Sequence, residues 1–222
     1  MISIKISWNK QLIISFVIVL LSLLIAIKAL SSITTVIFDS EYIVCIDAGH
    51  GGSDSGATYS SKSRLEKDDN LKLALKICKE LEKNDIKVIM TRENDVNVSL
   101  KERCKKANKG RADLFVSLHR NSSSDGTGHE VWIKDNPSQV EETLAQDILN
   151  ALSDNSELLN RGVKSGYRNS TGNNYYVNAN TNMPSCLVEV GFISNEKDNN
   201  EFDKNIDKYA QAIAQSIIAN LK

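Results

Sequence analysis

The chain has 222 residues, room for one domain of ordinary size and a short appendage. Its formal charge is −1, so it lacks the basic excess with which phosphate-reading proteins hold nucleic acid, and no nucleic-acid partner is expected. Hydrophobic residues make up 41% of the chain, ample for a packed core, and no internal repeat divides it.

The N-terminus carries the one strong shift in composition. Lys5 and Lys10 precede an apolar run from Leu12 to Ile27, broken only by Ser15 and Ser22. A membrane-spanning helix needs ~20 such residues and the apolar region of a signal peptide about 7–15, and this run lies between them. The two lysines orient the N-terminus to the cytoplasm and the rest outward. Residues 1–40 therefore read as a membrane anchor or signal segment with a short linker, and residues 41–222 as an exported domain facing the cell wall. Secretion after cleavage at Ala29-Leu30-Ser31 is the alternative, and a buried N-terminal core helix is a third reading.

After Tyr42, apolar strand-like runs alternate with helical patterns. Ile43 to Ile46 is a buried strand that runs into Gly49-His50-Gly51-Gly52. Leu71, Ala74, Leu75, Cys78 and Leu81 keep helical spacing, with Asp68 and Asp69 near the positive end of the helix dipole. Ile86 to Met90 is a second strand, and Ser99 with Glu102 forms a capping box opening a helix through about Lys109. Strands follow at Leu114 to Leu118 and Glu130 to Ile133. Val140, Leu144, Ile148 and Leu152 mark a helix. A late strand spans Cys186 to Val190, and Ile206, Tyr209, Ile213, Ile217 and Leu221 mark the closing helix. This alternation predicts a single α/β domain, a largely parallel twisted sheet with helices on both faces. The polar stretch from Ser165 to Asn174 reads as a loop, bordering a groove or simply on the surface.

Cys45, Cys78, Cys104 and Cys186 show no Cys-x-x-Cys spacing and sit in apolar or helical patterns, so they read as buried thiols. Gly49-His50-Gly51-Gly52 lacks the Lys-Ser/Thr ending of a phosphate loop and the spacing of a dinucleotide fold. His50 and His119 each close an apolar strand, and Glu189 lies inside Leu187-Val188-Glu189-Val190. Carboxyl ends of strands in open α/β sheets line one crevice, so distant residues can meet there. Two imidazoles and a carboxylate form a zinc shell with one tetrahedral position open. A carboxylate buried in an apolar strand is costly unless paired or functional, and a salt bridge from Glu189 to Arg92 is the bland alternative. Glu66, beside Lys67 near a helix start, reads on its own as a solvated dipole partner. His129 reads as an exposed strand residue, and as the competing ligand should one of the three proposed ligands fail. Arg92 and Arg103 read as structural pairs.

The segments around His50, Glu66-Lys67-Asp68-Asp69-Asn70-Leu71, His119 and Glu189 resemble the zinc-dependent N-acetylmuramoyl-L-alanine amidases of the amidase-3 family, in the family's order and over nearly all of the chain from Tyr42. Ala48 and Ser122 depart from residues common in that family without removing a ligand. The resemblance implies one Zn²⁺ on His50, Glu66 and His119, with Glu189 as catalytic base. It also matches Asn121 to an asparagine that contacts substrate or fixes its loop. The implied substrate is peptidoglycan, cut between N-acetylmuramic acid and L-alanine, with the cytoplasmic membrane as a partner through the N-terminal segment. A lone catalytic domain behind such a segment resembles the spore-cortex amidases, with vegetative remodelling enzymes and phage-type lysins as alternatives. A carboxypeptidase acting on the stem peptide and a non-catalytic wall-binding module are the competing functions.

Overall fold

The structure is a computed structural model that describes residues 9–37, 42–59, 63–167 and 173–221. The chain divides into two units, Met1–Glu41 and Tyr42–Lys222. The first contributes one helix, α1 (Lys10–Ile37), with Ile13, Phe16, Ile18, Leu23 and Ile25 among its exposed apolar side chains. Among the described residues, no helix is long and apolar enough to cross a membrane. Within α1, side chains are described for Lys10 and for 13–28. Lys5 lies outside the described residues, as do the side chains of Leu12 and of Ala29, Leu30 and Ser31.

The second unit is the α/β domain. In chain order it contains β1 (Ile43–Ala48), β2 (Thr58–Tyr59), β3 (Arg64–Leu65), α2 (Glu66–Glu82), β4 (Lys87–Met90), α3 (Leu100–Lys109) and β5 (Leu114–Asn121). It continues through β6 (His129–Ile133), α4 (Gln139–Asp154), β7 (Asn160–Ser165), α5 (Tyr176–Asn180), β8 (Ser185–Phe192) and α6 (Glu196–Ala219). Six strands form one sheet in the order β4-β1-β5-β8-β6-β7, and β2 and β3 make a small separate hairpin. All neighbours run parallel except β6 and β8, which are antiparallel. The short polar strand β7 and the five-residue α5 carry too weak a period to be read from the sequence.

Strand side chains alternate between two cores. Val44, Ile46, Val116, Leu118, Val131 and Val188 join Leu73 and Ile77 of α2, Leu144 and Ile148 of α4, and Ile213 and Ile217 of α6. Cys45, Phe115, Trp132 and Leu187 face the other way, onto Cys104 and Ala107 of α3 and Val177 of α5. Burying apolar area on both faces is what makes the central strands near-continuous apolar runs. All four cysteines are free and buried, acting as small hydrophobes. Ser99 caps α3 by accepting from Glu102 N, while the reciprocal capping box lies at Ser138 and Glu141, opening α4. Residues 168–172, within the expected loop from Ser165 to Asn174, lie outside the described residues.

Candidate metal centre

The site begins where β1 stops. His50, Gly51 and Gly52 have φ of 62°, 134° and 57°, so the chain turns through three consecutive left-handed residues. Glycine adopts these angles freely, whereas His50 must be held there. Buried Arg103 does this, donating to Ala48 O at 2.6 Å and to His50 O at 2.7 Å while paired with buried Asp47 at 2.7 Å. Arg92 adds bonds to Ala48 O and Gly49 O at 2.9 and 3.0 Å. The structural reading of both arginines is thus correct. Arg92 is spent on backbone carbonyls, including Lys67 O, and not on Glu189.

Three elements deliver the donor atoms to one point. His50 Nδ1 meets Asp54 Oδ2 at 2.9 Å, which turns its Nε2 toward Glu66 Oε1 at 3.2 Å. Glu66 is the first residue of α2 itself. Its Oε2 accepts from Ala57 N at 2.8 Å and its Oε1 from Arg120 N at 3.1 Å. His119, near the end of β5, brings Nδ1 to 2.9 Å from Glu66 Oε1. The two rings stand edge to face, 5.0 Å apart. Gly49 lies against the His119 ring so closely that a Cβ there would sit 2.4 Å from it.

These donors fit a zinc ion. One atom from each of His50, Glu66 and His119 lies within 4.8 Å of the others. Ligands bonded at ~2.0–2.2 Å around a tetrahedral ion stand ~3.3 Å apart, close to the separations seen. Burial opposes charging His50, but Glu66 and Asp54 override it and push its pKa up to about 9. Burial likewise opposes ionising Glu66, yet the bonds to His119 and His50 hold its carboxyl well below the usual range. Asp54 orients His50 as a ligand's outer partner does, a role the sequence reading missed although Asp54 lies only four residues on.

His50, Glu66, His119, Asn121 and Glu189 all line one cavity of about 710 Å³. Glu189 is 8% exposed and pairs in register with His119 on β5 and with Glu130 on β6. Glu130, also missed, is buried and takes four donors. Asn121 Nδ2 and Trp132 Nε1 reach its Oε1 at 2.8 and 3.0 Å, and Arg161 Nε and Lys164 Nζ reach its Oε2 at 2.8 and 2.6 Å. Burial resists its ionisation, but Lys164 and Arg161 overcome this and hold its pKa low. Glu130 heads the apolar run Val131-Trp132-Ile133, a weaker form of the signal that singled out Glu189. Asn121 is bound on both ends of its amide, to Glu130 and to Ser122 N at 2.8 Å.

His129 overturns its sequence reading. It is fully buried, not exposed, with Nε2 3.0 Å from Ser156 Oγ and its ring edge-on to Tyr209. It follows a glycine at φ 107° and turns into the core under α6, so polarity was a poor guide. It takes no part in the His50, Glu66 and His119 cluster.

This chain belongs to the N-acetylmuramoyl-L-alanine amidase family Amidase_3, whose model matches residues 44–219. It is 38% identical over 183 residues to the "Probable cell wall amidase LytH" of Staphylococcus epidermidis, a match covering 81% of this chain and 57% of that relative. The chain thus spans little more than half the length of that relative. The crystal structure of an N-acetylmuramoyl-L-alanine amidase from Clostridium difficile 630 is 33% identical with a TM-score of 0.75, covering 82% of this chain and 98% of that one. The CwlD amidase from Clostridioides difficile, solved in complex with the GerS lipoprotein, is 30% identical with a TM-score of 0.71, covering 81% and 98%.

Proposed function

We propose that this protein is a zinc-dependent N-acetylmuramoyl-L-alanine amidase, hydrolysing the amide between N-acetylmuramic acid and L-alanine in peptidoglycan. The observation that carries the reading is the convergence of His50, Glu66 and His119 in one cavity with Glu189 in register beside His119. One zinc ion held by those three residues would supply Lewis acidity to the scissile carbonyl. Glu189 accepts the proton of the attacking water and passes it to the leaving nitrogen of L-alanine. Asp54 keeps Nδ1 of His50 engaged, which leaves Nε2 as the atom that would hold the ion. Asn121 stands on the cavity wall as a substrate-contacting residue, its amide plane set by Glu130. The domain works outside the cytoplasmic membrane, held there by the segment Leu12 to Ile27. The names of the wall-acting relatives and the lysines ahead of that segment support this location.

Digesting purified muropeptides with the zinc-loaded protein tests the chemistry. Mass spectrometry should find free lactyl ends on muramic acid together with released stem peptides. Shortened stem peptides still attached to glycan would point to a carboxypeptidase instead, and binding without products to a wall-binding module.

A further inference from the structure

α3 presents a stripe of positive charge beside the mouth of the metal-centre cavity. Lys101, Lys105 and Lys109 recur every four residues, so they share one face of the helix over about 12 Å. All three are exposed and border a groove of about 380 Å³ between α3 and α5. Asn108 keeps the two helices in fixed relation, donating to Asn180 O and accepting from Asn182 N, both at 2.9 Å. Among the described residues, no carboxylate lines the groove. Lys105 makes one exposed pair with Glu102 at 3.3 Å, and among the described residues Lys101 and Lys109 have no ion-pair partner.

Groove and metal-centre cavity meet at one residue. Tyr176 lines both, and Leu100, immediately before Lys101, lines the cavity. Among the described residues, the arginine or lysine lining that cavity is Arg120, and its guanidinium is buried against Asp69, Asn199 and the Phe202 ring. Beyond Tyr176, α3 offers an anionic chain the charges of Lys101 and Lys109, which have no ion-pair partner among the described residues.

We propose that the α3–α5 groove is the subsite for the acidic stem peptide of the substrate. The scissile amide lies at His50, Glu66 and His119, and the peptide runs over Tyr176 with its free carboxylates against Lys101, Lys105 and Lys109. The length agrees, since 12 Å spans three to four extended residues at ~3.3 Å each. The polarity of the bound substrate follows, with the glycan on the far side of the metal centre from α3. This assignment rests on the amidase reading above.

The full-length zinc-loaded protein and its Lys101→Gln/Lys105→Gln/Lys109→Gln variant are assayed on two muropeptides, one with free stem carboxylates and one with them amidated. Exposed ion pairs are individually weak and salt-screened. KM for the free-acid substrate should therefore rise about tenfold in the triple variant, with kcat held, and the gap should close in high salt. The amidated substrate should show no difference between the proteins. The Lys→Arg triple variant should restore the low KM, which separates charge from any folding defect. Wild-type protein that cleaves neither substrate defeats the amidase reading itself. Cleavage with the same KM in wild type and triple variant overturns the subsite alone. A defect confined to intact walls rich in phosphodiester polymers also overturns it, and assigns the lysines to those polymers.

Discussion

His119 and Glu189 are direct register partners across the parallel ladder of β5 and β8, and Glu130 continues the row on β6. Residues paired in register point to the same face, and neighbouring strands lie about 4.8 Å apart. The proposed base thus stands one strand spacing from a proposed zinc ligand on rigid sheet, not on a loop. This row gives the first prediction. Glu189→Gln removes the proton acceptor while keeping size and shape. It should retain zinc and melting temperature but lose ~10²–10⁴-fold in turnover. Zinc content, thermal melting and muropeptide cleavage on one preparation check this, and a destabilised but active variant would refute the catalytic role.

The second prediction separates the histidines. His119→Ala should lose stoichiometric zinc and activity while staying folded, because its ring faces Glu66 at the cavity wall. His129→Ala should keep zinc but lose stability, because it leaves a hole under Tyr209 and takes one hydrogen-bond partner from Ser156. The reverse pattern, with zinc lost from His129→Ala alone, would reassign the ligand.

Gly49 supplies a third test, one of shape alone. A methyl group there would overlap the His119 ring at 2.4 Å, so the ring must shift. Gly49→Ala should weaken zinc binding at least tenfold, as displaced ligands do, and cut activity with it. Far-ultraviolet circular dichroism should stay that of wild type. Competition with a chromophoric chelator measures the affinity, and an unchanged value would show that the loop relaxes around the added carbon.

Most of this architecture was legible because buried strands and amphipathic helices write strong periods into the chain. Val44 and Ile46, or Ala74 and Leu81, have no other way to satisfy the core, whereas Leu75 and Val140, also read as periodic, stand exposed. His50 and His119 could be placed at one crevice because each follows an apolar strand. Glu66 could not be separated from a solvated helix-start carboxylate by spacing alone, since its burial comes from β5 and the loop before α2 packing over it. The antiparallel turn of β6 and the depth of His129 were illegible for a related reason, as both depend on partners distant in sequence. Asp54, four residues beyond His50, and Glu130, at the head of an apolar strand, were readable in principle and went unassigned.

The fourth prediction concerns the support beneath His50. Asp47 and Arg103 are buried ion-pair partners, and Asp47 also accepts from Thr91 and Ser117 at 2.6 and 2.7 Å. Removing one partner strands the other charge and its donors. Arg103→Met should therefore destabilise the fold by roughly 3–5 kcal/mol. It should also free Ala48 O and His50 O, loosening the left-handed turn and lowering zinc affinity. Urea denaturation with and without zinc measures both effects. A loss under about 1 kcal/mol with unchanged affinity would mean that Arg92 alone holds the turn.

The last prediction is a pH dependence with a defined sign. Burial pushes the His129 pKa down from 6.5 to about 4, against the smaller pull of Asp198. Between those values the unfolded chain takes up a proton that the folded domain refuses, so stability rises with pH across the window and falls on acidification. Going from pH 7 to pH 4 should cost on the order of 3 kcal/mol through this one group. His129→Gln carries no such proton. Melting curves of both proteins from pH 4 to 7.5, recorded in chelator, share every other titrating group, so their difference isolates His129. Wild type should be the more stable protein at neutral pH and lose that lead as the solution is acidified. A difference that stays flat with pH would show that His129 is solvated or protonated in the folded state.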